Sequence, residues 1–530
     1  MSPKNYLLFI IPALQILFGV LFFNQIFPIY SAPVGYGADT AYVYLISGFS
    51  LLQGNNIGFF DHPGIPLHLL SAIAIICKFF LFNYQSQNFN AEVLVNDFVS
   101  NTELYAQFLC MILLVLNTCV VYAIGRATFS STSNIFISML SQCCLLGVGS
   151  SLSLRIGHIG PEAMLLFFSA LIIYMMTEEL YIPKKNNKDD LSKNLKPILI
   201  GLVLAMGVST KVIFLPVLAI TLLFKETKIF LISICSFFIF YALLLLLLGK
   251  KVFSYFEGFI SLVTHSGFHG TGSREFINLD AIIPGLRLLY TSFPLFFVSI
   301  ALLMTTLICV LFTKKLRVKQ LEISHRSLIT LLTIMILQTL IVLKAPRIHY
   351  MVPALPFGII SISLLLHYLW MPVKKLYGIC LIKLLTFSLI LLILFSNIDY
   401  YRGLKIERAS ISSHLNEINL ELSLQKNPLI IGTYMCRSLV CAQHFGTTFV
   451  PSAYPYFKRN FENFAAYHDG LHKVNIGRGW ENLDVVSNQL NAGRSVFILT
   501  PSPNDELNVF QFEGDPKAKH DSLLRVIRVN

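Results

Sequence analysis

The chain has 530 residues, 55% of them hydrophobic and 13% charged, with 44 Phe. Water cannot be the solvent for most of such a surface, which excludes a soluble globular protein and points to a polytopic α-helical membrane protein. A formal net charge of +12 would suggest an anionic partner in a soluble chain, but many Lys and Arg fall in short loops between apolar runs, where they set topology; no nucleic acid is expected.

The opening MSPKN and the run 6–28 lack a small-residue cleavage site and exceed a signal h-region, so a retained first span is expected. Spans need about 20 apolar residues. Further candidates are 104–125, 134–154, 162–182, 197–210, 212–224, 229–249, 290–313, 327–343, 349–370 and 376–396, about eleven spans in all. The run 64–84 is also long enough to cross, but charge argues against it. Loop 183–196 carries five Lys and loop 314–326 five basic residues, which places both in the cytoplasm. With the N-terminus also inside, four spans return the chain by 183, and a crossing at 64–84 would break the alternation. His68, Ser71 and Lys78 fall near one face of that run, as expected of a helix lying in the interface. Residues 31–103 then form one long external loop with interfacial helices, and 154–161, 250–289 and 344–348 are external too. The short runs joined by Lys211 are the weakest part of this count.

Beyond 397 the composition turns polar, and 398–530 is expected to be a small external α/β domain, with strands at 428–434, 495–501 and 523–530 and a helix at 402–425. Seven of the ten cysteines lie in the candidate spans without metal-ligand spacing and read as small fillers. Cys436 and Cys441, in the polar tail, are a loose signal for a pair in an oxidising compartment.

Charges at a membrane edge are costly, so each needs a structural or functional reason. Several external ones share a side: Asp39; Asp61 and His62; Arg155, His158 and Glu162; His265, His269, Arg274 and Glu275; Lys344, Arg347 and His349. Asp39, followed by TAYVYLISG, reads either as a helix N-cap or as a general base or metal ligand. Asp61 and His62 read as acceptor-orienting groups, as ligands of a divalent cation, or as a stabilised turn before Pro63. Arg155, Lys211 and Arg347 either bind an anionic group or snorkel to the headgroups. His265 and His269 have the spacing of a zinc pair but no obvious third ligand, and the Gly-rich stretch 254–280 reads better as a mobile loop that closes over a ligand.

The order of these features resembles the GT-C superfamily of membrane glycosyltransferases, in particular the branch of protein O-mannosyltransferases and the lipid A aminoarabinose transferase. The matching stretches are GADTAYVY, FFDHPGIPLHLL, RIGHIGPEAMLLFF, GLVLAMGVSTKVIFLP and RIHYMVPALP. They cover roughly residues 1–370; the tail resembles the external domain that some members carry. Two departures bear on the donor sugar: Pro63-Gly64 stands where a double proline is usual, and Glu162 where Asp is commoner.

The resemblance implies a GT-C-like catalytic domain over 1–397 and a polyprenyl-phosphate-linked sugar as donor, undecaprenyl phosphate being one such carrier. The acceptor would be a lipid, a glycan or a protein. By the same resemblance Asp39, Asp61, His62 and Glu162 would be catalytic, with Asp39 as general base. Arg155, Lys211, Arg347, His349 and Tyr350 would bind the donor phosphate, and His265, His269 and Arg274 would belong to the mobile loop. No cofactor is firmly implied. Related enzymes differ over metal use, so a divalent cation stays open, although the first external loop has no adjacent DxD pair. The implied location is a bacterial inner membrane, with the active site and the tail facing the periplasm. An O-antigen polymerase or ligase, which would place its chemistry in 250–289, and a transporter are the rival readings.

Overall fold

Within a bilayer the backbone finds no water and must bond to itself, so long apolar runs fold as helices, as they do in the computed structural model. It describes residues 3–26, 41–59, 64–83, 90–147, 159–177, 190–265, 274, 279–312, 325–367, 388, 429–433, 439–461, 464–468, 473–475, 480–482, 496–500 and 525–529. The helices are α1 (Ile10–Ile26), α2 (Ala41–Leu52), α3 (Ile65–Asn83), α4 (Ala91–Ser100), α5 (Thr102–Thr132), α6 (Ile135–Gly147) and α7 (Pro161–Met175). They continue with α8 (Asp190–Thr210), α9 (Thr227–Leu245), α10 (Val252–Thr264), α11 (Leu279–Ser292), α12 (Pro294–Phe312), α13 (His325–Lys344) and α14 (Leu439–Phe449). Among the described residues five helical stretches are long and apolar enough to cross a membrane: 65–82, 102–132, 227–264, 326–344 and 348–367. A sixth arises if α11 and α12, bent by 98°, count as one span. The protein is a helical membrane protein.

Segment 212–224, short for a span, gains reach from its geometry. Val212–Leu223 is a 3-10 helix of 12 residues. At about 2.0 Å per residue it extends roughly 24 Å, against about 18 Å for an α-helix of that length. Lys211, with extended backbone (φ −162°, ψ 133°), links it to α8. Gly207 permits the close return: a Cβ there would lie 2.3 Å from the Phe214 ring. At the far end of the hairpin the Arg326 guanidinium donates to the Phe224 carbonyl at 3.3 Å. The KETK turn and the end of the basic 314–326 segment therefore meet at one end of the bundle.

Two expectations for the external loops need correction. The first concerns the stretch 65–82, apolar and long enough to cross and expected to lie in the interface. Its polar face, expected among headgroups, points into the protein: His68 and Ser71 are fully buried and Lys78 nearly so, while Ile73, Phe80, Leu81 and Phe82 are exposed. Helix α2 is no surface helix either, since every residue from Ala41 to Ser50 is buried, as an all-round apolar helix requires. Of the stretch 254–280, expected as a mobile loop, residues 254–264 belong to α10 and 279–280 to α11; 266–273 and 275–278, His269 among them, lie outside the described residues.

Strands β1 (Leu429–Thr433), β2 (Phe464–His468), β3 (Lys473–Asn475), β4 (Trp480–Asn482), β5 (Val496–Thr500) and β6 (Arg525–Val529) form a sheet of order β4-β3-β2-β1-β5-β6. Strand β1 runs parallel to β2 and β5, placing Ile430 opposite both Phe464 and Phe497; β3, β4 and β6 join antiparallel. Parallel neighbours need a long crossover, and α14 lies in the one between β1 and β2. It covers α2. Gly446 packs so closely on the Tyr42 backbone and Ile46 that a Cβ would lie 2.6 Å from Ile46 Cδ1. Gln443 Nε2 donates to Thr102 Oγ1 at 3.3 Å, and the Ser50 and Ser452 hydroxyls pair at 2.7 Å. Burial beside the Phe461 ring pushes the His444 imidazole down to about 4. The stretches 376–396, apart from residue 388, and 402–425, together with Cys436 and the Cys441 side chain, lie outside the described residues.

Candidate functional site

Glu162 enters the site because Pro161 opens α7 and sets the carboxylate in its first turn. That position suits an acid electrostatically, since unpaired N–H groups point at it. Lys211 comes from the break between α8 and the 3-10 helix. Its ammonium lies 3.7 Å from Glu162 Oε1, wider than a hydrogen bond, with both side chains largely buried. The same ammonium stands 5.4 Å from the centre of the Tyr350 ring, within cation–π range. Tyr350 lies in a second 3-10 helix, Ile348–Ala354; its amide donates to the Arg347 carbonyl at 3.1 Å, and its hydroxyl is within electrostatic reach of Arg347 and Glu162. His349 packs edge-on against Tyr350 with ring centres 4.7 Å apart.

Of the residues singled out from sequence, Glu162, Lys211, Arg347, His349 and Tyr350 therefore lie together. Asp39, Asp61, His62, Arg155, His158 and His269 lie outside the described residues. One backbone contact locates the end of the FFDHPG stretch: the Gly64 amide donates to the Thr210 carbonyl at 3.1 Å, one residue from Lys211. Gly64 has φ +51° and a Cβ there would strike the Tyr44 ring at 2.3 Å, so this position needs glycine where the resembling family has proline. His265 ends α10 with its Nδ1 2.8 Å from the Thr264 hydroxyl. Arg274 is exposed. The Lys344 ammonium donates to the Val263 carbonyl, which joins the end of α10 to the end of α13.

Two residues not singled out from sequence also shape this end of the bundle. Ser169, seven residues after Glu162 and so on the same face of α7, donates to the Pro353 carbonyl at 2.8 Å and clamps the Tyr350 segment to the Glu162 helix. Glu103 accepts the Tyr42 hydroxyl, just after the Asp39 segment. Glu103 stood in the sequence as an acid of the first external loop beside an apolar run. Among the described residues no group of three His, Cys, Asp or Glu is placed to hold a metal ion. No family model, curated protein or solved structure matches the chain.

Proposed function

We propose that the protein is a membrane glycosyltransferase that moves one sugar from a polyprenyl-phosphate carrier to an acceptor hydroxyl on the external face, inverting the anomeric carbon. The observation that carries this reading is the convergence of Lys211, Tyr350 and Arg347 with Glu162, beside the amide of Gly64, the residue that follows Asp61-His62-Pro63 in the chain.

The acceptor oxygen attacks the anomeric carbon, the bond from that carbon to the phosphate oxygen breaks, and the electron pair leaves with the phosphate. The leaving group gains negative charge and therefore needs cations. Lys211 and Arg347 supply them as charge-assisted donors in a site screened from water. Glu162 keeps Lys211 charged and aimed, because an ammonium buried alone would lose its proton. Asp39 accepts the acceptor's proton, while Asp61 and His62 orient the acceptor and Arg155 joins the phosphate cations. The GT-C-like arrangement of about eleven spans belongs to this proposal, as do an external unit over 398–530 and a periplasm-facing site in a bacterial inner membrane.

Asp39→Asn should leave the protein folded in the membrane and abolish transfer from purified carrier-linked sugar. Normal turnover by that variant would exclude the proposed base.

A further inference from the structure

The polar residue deepest inside the apolar run of α13 is Gln338, which is fully buried. Its side-chain NH2 donates to two backbone carbonyls, that of Ile213 at 3.2 Å and that of Tyr350. Because both partners are acceptors, the amide orientation follows from chemistry.

These carbonyls share a defect. In a 3-10 helix the carbonyl of residue i is bonded by the N–H of residue i+3. Ile213 lies in the 3-10 helix Val212–Leu223, and three residues on is Pro216; Tyr350 lies in the 3-10 helix Ile348–Ala354, and three residues on is Pro353. Proline has no N–H. Two prolines thus strand two carbonyls in a dry interior, where a missing hydrogen bond is costly, and one amide serves both. The sequence spacing Tyr350-x-x-Pro353 acquires a physical reason: the proline frees the carbonyl that Gln338 takes.

We infer that Gln338 is a positioning residue for the anionic site, fixing the distance between the Lys211 segment and the Arg347-Tyr350 segment by bridging their proline-stranded carbonyls; the positioning role rests on the phosphate-binding reading above. Ile213 is two residues from Lys211, and the second carbonyl belongs to Tyr350 itself, whose ring Lys211 faces. Gln338 reaches the phosphate through these two segments.

The test is a mutational cycle on the full-length protein in detergent, read by equilibrium binding of undecaprenyl phosphate and by melting temperature. Gln338→Leu should bind about tenfold more weakly and melt lower, since two carbonyls lose their donors and the cations separate. In a Pro216→Ala/Pro353→Ala background each carbonyl regains an N–H, so adding Gln338→Leu there should change affinity less than about twofold and leave melting unchanged. Undiminished binding by Gln338→Leu, whether or not it melts lower, would overturn the positioning role. An equal loss in both backgrounds would overturn the bracket. Should Gln338→Leu alone not fold, the triple variant should still fold, and its failure would also overturn the bracket. Absence of binding by the unmodified protein would remove the phosphate reading and the positioning role with it, while the melting pattern would still judge the bracket.

Discussion

Among the described residues two largely buried lysine–carboxylate pairs each lie beside a tyrosine ring, and they are built differently. In the first, Lys78 on α3 reaches Asp97 on α4 at 3.2 Å and stands 3.9 Å from the centre of the Tyr105 ring. The Asn101 amide donates to the other Asp97 oxygen at 2.8 Å, and the Tyr105 hydroxyl donates as well. Burial alone would raise the Asp97 carboxyl; the hydrogen bonds from Tyr105, Lys78 and Asn101 together with the Lys78 charge outweigh it and hold the group below its ordinary range. In the second pair Lys211 and Glu162 are buried to a similar degree but stand 3.7 Å apart, with Tyr350 at 5.4 Å. Burial therefore does not separate the two; contact geometry does. A carboxylate gripped from several sides is a joint between helices, whereas the Lys211–Glu162 pair stands where three segments meet, at the proposed anion site.

The largest expected effect sharpens that contrast. Neutralising both partners avoids stranding a charge, so Lys211→Met with Glu162→Gln should melt near the unmodified protein yet lose roughly 100-fold in transfer rate, the scale of one removed electrostatic stabiliser. Lys78→Met with Asp97→Asn should keep turnover within about twofold; a comparable loss there would erase the distinction. Next, Lys78→Met alone should cost about 2 kcal/mol of stability in detergent unfolding, because Asp97 is left charged and half-buried without its cation; a change below about 0.5 kcal/mol would show that the joint carries no load.

A third test concerns α14, which covers α2 beside the first cluster. His444 is held neutral, its value about 4 against an ordinary 6.5, so between these values the unfolded chain binds a proton that the folded one does not. Stability should be full above pH 6.5 and fall with decreasing pH toward about 4, by up to roughly 3 kcal/mol. His444→Phe should flatten that profile, and an unchanged profile would assign the acid sensitivity to another group. The smallest expected effect is that of Arg347→Ala, about tenfold weaker binding of undecaprenyl phosphate; unchanged affinity would remove Arg347 from the site.

The helical character of the bundle was legible because apolar length reports directly on solvent. Strands at 429–433, 496–500 and 525–529 also fall where β-branched, turn-bounded runs predict them. The gathering of Glu162, Lys211, Arg347, His349 and Tyr350 could be anticipated because each lies where an apolar run starts or ends. Other features were out of reach for physical reasons. Periodicity puts His68, Ser71 and Lys78 on one face of α3 but does not say which way the face points; that is decided by Asp97 and Tyr105 on neighbouring helices. The cover that α14 places on α2 joins residues as distant as Ser50 and Ser452. Gln338 is a polar group in an apolar run that was not singled out from sequence, since its role depends on carbonyls 125 and 12 residues away.

The account stands most directly on what Lys211 and its neighbours hold. Native mass spectrometry of the purified protein with undecaprenyl phosphate and with undecaprenol, the same chain without the phosphate, would decide it. The account predicts that the unmodified protein retains the phosphate form in preference to the alcohol and that Lys211→Met with Glu162→Gln loses this preference while staying folded. Equal retention of both lipids, or a preference that survives the double substitution, would contradict it.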